Sequence, residues 1–149
     1  MKRLLITLLL PLAACAPARD IPMPPSDNRA EGSTPALTET YWKLVELRGQ
    51  PVKTARKDAY MVLKTNGDVQ GNGGCNGMGG TYTHTAPNRL AFGPMIGTMM
   101  ACAEGMDTEQ GLHAVLEQTD SYVIGDDGKL QLLKARMAPL AKFEAVYLP

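Results

Sequence analysis

The chain has 149 residues, 44% hydrophobic and 20% charged, which suits one domain with a real core. Fifteen Lys and Arg balance fifteen Asp and Glu, so the whole chain carries no formal net charge. The sequence has no basic stripe and no interleaving of aromatic and basic residues, which excludes nucleic acid as an expected partner.

Residues 1–15, MKRLLITLLLPLAAC, join a basic start at Lys2 and Arg3 to an apolar run from Leu4 to Leu10 and small residues before Cys15. This pattern reads as an export signal, because the run is shorter than the ~20 residues a permanent membrane span requires. The Leu12–Cys15 ending resembles the lipobox of bacterial lipoproteins, which implies cleavage after residue 14 and acylation of Cys15. Several acyl chains on one residue anchor firmly, since each buried methylene contributes ~0.8 kcal/mol. Ala16 rather than Asp follows the cysteine. By analogy with the Gram-negative sorting rule, the expected location is the periplasmic face of the outer membrane. Loss of Lys2 and Arg3 with the leader leaves 13 basic against 15 acidic side chains, a mature charge near −2.

From Ala16 to Leu37 the chain holds five prolines, scattered charges and no apolar period, so residues 15–37 are expected to be a lipidated, Pro-rich linker. Polyproline-like stretches extend ~3.1 Å per residue, a reach of roughly 60 Å from the membrane. The alternative is an arm packed on the domain.

Residues 38–149 form the expected folded part. The stretch YWKLVEL (41–47) opens it as a strand, with Trp42, Leu44 and Glu46 on one side and Tyr41, Lys43 and Val45 on the other. AYMVLKTNGDVQG (59–71) reads as a hairpin turning at Asn66-Gly67, a pair that tolerates positive φ. GTYTHT (80–85) alternates and precedes a second short run, RLAF. In DTEQGLHAVLEQ (107–118), Leu112, Val115 and Leu116 fall at helical spacing, and Asp107 and Gln110 stand three apart like a capping box. Gly111 costs that helix ~1 kcal/mol relative to alanine, so tertiary packing must hold it. SYVIGDDGKLQLL (121–133) reads as another hairpin, turning between Gly125 and Gly128, and KFEAVYL (142–148) closes the chain. The expected fold is mainly β: an antiparallel lipocalin-like barrel or strongly curved sheet with one main α-helix.

With Cys15 assigned to lipid, Cys75 and Cys102 remain, in a compartment expected to be oxidising. A bridge between them would contribute roughly 3.5 kcal/mol on the chain-entropy estimate. The alternative is a pair of buried thiols packing as small hydrophobes. A catalytic thiol needs a base, and His84 and His113 lack any motif tying them to Cys75. His84 is expected on a solvent-facing strand position and His113 on the polar side of the helix. No C-x-x-C or H-x-x-x-H pair gathers zinc ligands, and Met95, Met99, Met100 and Met106 suit core filling better than Cu(I) ligation. The run around Cys75 lacks both a Walker ending and the strand-to-helix setting of G-x-G-x-x-G. Gly73, Gly74, Gly77, Gly79 and Gly80 instead suit a tight, bulged backbone and close approach of a neighbouring segment. No catalytic residue, metal site or cofactor is expected.

GCNGMGGTY (74–82), TMMAC (98–102) and EQGLHAVL (109–116), after the YWKLVEL opening, resemble the META/HslJ domain family over about residues 40–148. The matching positions are Trp42 and Leu44; Gly74, Cys75, Asn76, Gly80 and Tyr82; Thr98, Met100, Ala101 and Cys102; and Glu109, Leu112 and Leu116. Two departures stand out: Met99 lies where the family often carries a basic residue, and Gly77-Met78 replaces a bulkier polar–aromatic pair. The resemblance implies a β-barrel with a helix, in envelope proteins associated with heat shock, drug tolerance or virulence, and it supplies no catalytic residues. The expected function is therefore a non-enzymatic, membrane-anchored envelope lipoprotein with a monomeric domain, linked to envelope or heat stress and drug tolerance, that binds another envelope protein or supports envelope integrity. The alternative is a small-molecule-binding barrel, for which two Phe and one Trp leave few aromatics to line a pocket.

Overall fold

The computed structural model describes residues 34–53 and 57–147. The leader, Cys15 and nearly all of the Pro-rich linker lie outside them, as does Leu148 at the end of the last expected strand.

Ten strands and one helix follow in chain order: β1 (Tyr41–Leu47), β2 (Gln50–Pro51), β3 (Tyr60–Leu63), β4 (Asp68–Asn72), β5 (Gly77–Thr85), β6 (Arg89–Phe92), β7 (Ile96–Gly97), α1 (Met106–Gln118), β8 (Ser121–Ile124), β9 (Leu130–Leu133) and β10 (Ala141–Val146). All pairings are antiparallel. Eight strands run β1-β3-β4-β5-β6-β8-β9-β10, and β10 pairs back onto β1, so the sheet is a closed barrel rather than an open curve. The two-residue strands β2 and β7 are spurs on β1 and β5. The thinnest seam is β6–β8, where Arg89 faces Ser121 and α1 enters the chain just before β8.

Inward positions of the strands fill the barrel. Trp42, Met61, Leu63, Val69, Leu90, Leu130, Leu132 and Phe143 are all buried to within 1%. The helix adds Leu112, Val115 and Leu116, each fully buried, to the same cluster. These side chains occupy the interior, as in small closed barrels whose lumen is packed rather than open.

Two local expectations need correction. Glu46 does not share the inward side of Trp42 and Leu44, because the β1–β10 register shifts between Leu44 and Glu46. A bulge reverses the alternation. Glu46 therefore pairs with Lys142 at 3.0 Å outside the barrel, and Leu47 turns toward the core. The expected capping box of Asp107 and Gln110 is likewise absent: the helix starts at Met106, its N-cap is Gly105 at φ 89°, and no side chain caps it. The first turn is instead served by Asp107 and Glu109, whose negative charges suit the helix N-terminus.

The turns use the expected residues with one refinement. In the β3–β4 hairpin Gly67 alone takes a positive φ, 90°, while Asn66 accepts the Asp68 N–H through Oδ1 at 3.1 Å. Upstream of β1, the Trp42 indole N–H donates to the Leu37 carbonyl at 2.9 Å and the Thr40 hydroxyl donates to the Ala36 carbonyl at 2.6 Å.

Candidate functional site

The three motif segments, distant in sequence, meet at one buried amide. Between β4 and β5 the chain turns through Gly73 to Asn76; Asn72 Oδ1 accepts the Gly74 N–H at 2.8 Å, and Gly74 sits at φ 114°. That turn aims Asn76, 3% exposed, at both the β7–α1 loop and the helix.

Asn76 spends its whole hydrogen-bonding capacity there. Its main-chain N–H donates to Glu109 Oε2 (2.7 Å), and its side-chain NH₂ donates to Glu109 Oε1 (3.1 Å) and to the Met100 carbonyl (3.1 Å). Oδ1 accepts the Met100 N–H (2.7 Å) and the Thr98 hydroxyl (2.9 Å). A side-chain amide has two donors and two acceptor sites, and all four are occupied. Beside it, Cys75 and Cys102, 27 positions apart in sequence, form a disulfide with Cα atoms 5.9 Å apart. The bridge and the amide fasten the same loop to the same turn.

The helix start completes the lock. A Cβ on Gly105 would lie 2.6 Å from the Gly74 carbonyl oxygen, backbone that cannot yield, so the two glycines let loop and turn touch. The Gly105 carbonyl also accepts the Glu109 N–H at 2.9 Å, closing the first turn of the helix that carries the carboxylate. Of the glycines expected to allow close approach, Gly73, Gly74 and Gly80 do so, meeting Glu109, Gly105, and Pro94 with Met95. Gly77 and Gly79 lie within β5, where an added Cβ finds ordinary space.

Most of the remaining motif residues belong to the core. Trp42, Leu112 and Leu116 are fully buried. Tyr82 donates its hydroxyl to the Lys64 carbonyl at 2.7 Å, tying β5 to the β3–β4 turn, and burial pushes its phenol above the ordinary range. Ala101 is exposed on the loop. Asn72 and Gly105, outside the motif set, also take part in the lock, the first by shaping the turn and the second by meeting Gly74. An Asx-type turn, Asn followed by two glycines, was the readable sign of the first.

The other chemistry-bearing side chains stay apart from this point. His84 is exposed on β5, with Nε2 3.1 Å from the Tyr122 hydroxyl. His113 lies partly buried on α1. Cys75 has no thiol to act as a nucleophile, because its sulfur is in the bridge. Among the described residues, no three His, Cys, Asp or Glu side chains gather to hold a metal ion.

What the lock presents outward is apolar. On β7 and the loop that follows it, Ile96 is 75% exposed, Met99 99% and Met100 50%. Beside them an open groove of about 560 Å³ is lined by Met100, Ala101, Cys102 and Ala103, with Lys57 and Glu104 at its polar edge.

A small closed antiparallel barrel with one packed helix and a disulfide-fastened loop defines a lipocalin-like β-barrel domain. Residues 35–147 match the family model of the META domain, and the chain belongs to that family. No curated protein matches it significantly. Among solved structures, an NMR structure of a protein from Burkholderia xenovorans is similar at TM-score 0.57 and 22% identity, covering 85% of this chain and 99% of that one. A second NMR structure is similar at TM-score 0.52 and 15% identity, covering 70% of this chain and 87% of the other. At these identities the likeness concerns the fold alone.

Proposed function

We propose that the protein is a non-enzymatic lipoprotein of the cell envelope, anchored through acylated Cys15, whose META domain docks another envelope protein through the Ile96–Ala103 loop. The observation that carries the docking reading is the exposure of Ile96, Met99 and Met100 on a loop fixed at both the Asn76 amide and the Cys75–Cys102 bridge. Most apolar side chains of this size are buried, and exposed ones carried on backbone already held in place lower the ordering cost of association. The lipobox resemblance supports the anchor and the outer-membrane location, and family membership supports a link to envelope stress and drug tolerance.

The test is a photoreactive amino acid placed at position 99 of the full-length exported chain, with position 126 on the β8–β9 turn as control. A discrete adduct at 99, absent at 126 and lost when Met100→Asp is added, upholds the docking face; equal labelling at both positions rejects it. Intact mass of the membrane-extracted protein tests the anchor, and an unmodified Cys15 would reject that part. For the small-molecule reading, the open groove beside the bridge is a better candidate than the side-chain-packed barrel interior.

A further inference from the structure

Of the methionines described, Met61 is fully buried and Met78 is 6% exposed, while Met99 is 99% exposed, Met137 73% and Met100 50%. Met99 and Met100 are adjacent in sequence and share their loop with Ile96. The main chain of Met100 is clamped from both sides by Asn76, which accepts its N–H at 2.7 Å and donates to its carbonyl at 3.1 Å. The loop is thus held by backbone contacts and a disulfide, and the thioether of Met99 contributes to neither.

We propose that Met99, with Met100 beside it, is an oxidative modification site whose reagent is a two-electron oxygen donor such as hydrogen peroxide. The thioether sulfur attacks one peroxide oxygen and the O–O bond breaks. That oxygen remains on sulfur as the sulfoxide, and the other leaves as water after proton transfer. Sulfur is oxidised by two electrons and peroxide is reduced by two, so no further reactant is required. Oxidation turns a flexible apolar side chain into a polar one. Because the loop is held elsewhere, the change rewrites the chemistry of the exposed surface and leaves the fold in place. The consequence for a partner rests on the docking reading; the modification itself does not.

The experiment treats the full-length chain carrying Cys15→Ser, disulfide intact, with hydrogen peroxide. Peptide mass mapping follows oxygen addition at each methionine, and hydrophobic-interaction chromatography follows the surface. Met99 is expected to gain oxygen at least about tenfold faster than Met61 and Met78, with a fall in column retention. Met99→Leu keeps the apolar surface without the reactive sulfur, and it is expected to lose at least half of that fall, more than Met137→Leu loses. The thermal midpoint of protein oxidised once at Met99 should stay where it was. Equal rates at Met99 and the buried methionines, an undiminished fall in Met99→Leu, or a lowered midpoint would each overturn the proposal. If oxidation proceeds as expected while the cross-link at position 99 yields nothing specific, the docking reading fails and the modification site stands.

Discussion

The barrel interior and the Asn76 lock hold the molecule together by opposite means. Inside the barrel, stability is spread over large apolar side chains between Trp42 and Phe143, and each is replaceable in kind if not in size. At the lock, one amide, one carboxylate and one disulfide fix three chain segments, and the apolar side chains of the loop point outward. Burial alone tolerates variation in which residue fills the space, whereas an amide using all four of its hydrogen-bonding positions accepts no substitute. Gly74, Cys75, Asn76, Thr98, Met100, Cys102 and Glu109 of the matched motif all lie at the lock.

That contrast can be broken by substitution. Trp42→Ala should have the largest effect, about 3–5 kcal/mol, because it empties the centre of the barrel and removes the indole bond to Leu37. Urea unfolding followed by far-ultraviolet dichroism measures it, and a loss under about 2 kcal/mol would mean the interior is not close-packed. Replacing Cys75 and Cys102 together with serine should cost roughly 3.5 kcal/mol while the β dichroism persists, since the barrel does not depend on the bridge. Collapse of the β spectrum would show that the two regions are one cooperative device. Asn76→Ala should cost about 2–3 kcal/mol, as it strands the Met100 N–H and the Glu109 carboxylate. Asn76→Asp should be no better, because it sets a carboxylate oxygen against Glu109 where an NH₂ now stands.

The barrel was largely legible in the sequence, and the lock was legible only as a motif. Alternation at 41–44 and 60–63 and the helical spacing of Leu112, Val115 and Leu116 report burial directly, since each periodicity follows from one element facing one core. Glu46 was misplaced because a single extra residue in β1 reverses the alternation without leaving a compositional trace. The capping box failed for a related reason: Asp107 and Gln110 have the right spacing, yet Gly105 had to be the N-cap to meet Gly74 across a tertiary contact. The cysteine pairing could be inferred by counting, whereas the convergence of Asn76, Thr98, Met100 and Glu109 is a fact of three dimensions. Nothing in TMMAC indicates that the Met100 backbone is held while the Met99 side chain is free.

Acid provides a finer test, because two surface carboxylates on the barrel side of the molecule are held charged by their hydrogen-bond partners. The Lys64 ammonium and the Thr65 N–H bonded to Glu39 hold its carboxyl below the usual range; the Ser121 hydroxyl and the Ala135 N–H do the same for Asp120. A folded-state pKa below the unfolded value stabilises fully above the unfolded value and loses that contribution as pH falls through the folded one. Stability should therefore decline as pH drops below about 4, and Glu39→Gln with Asp120→Asn should flatten that decline. Urea midpoints at neutral pH and across the acid range measure the slope, and an unchanged slope would show that other carboxylates govern it.

The smallest expected effect sharpens the comparison most. Met99→Asp should change stability by no more than about 0.5 kcal/mol, the usual range for a surface position free of special contacts. Met99 is 99% exposed, and the hydrogen bonds that fix its loop belong to its neighbour's main chain and to Asn76. The same substitution should lower retention on a hydrophobic column, because it places a charge at the most exposed point of the apolar set. Asn76→Ala should do the converse, lowering stability while leaving each of those apolar side chains in the sequence. If Met99→Asp instead destabilised the fold by more than about 1 kcal/mol, the side chain would be packing against the domain, and a residue assigned to display would belong to the lock.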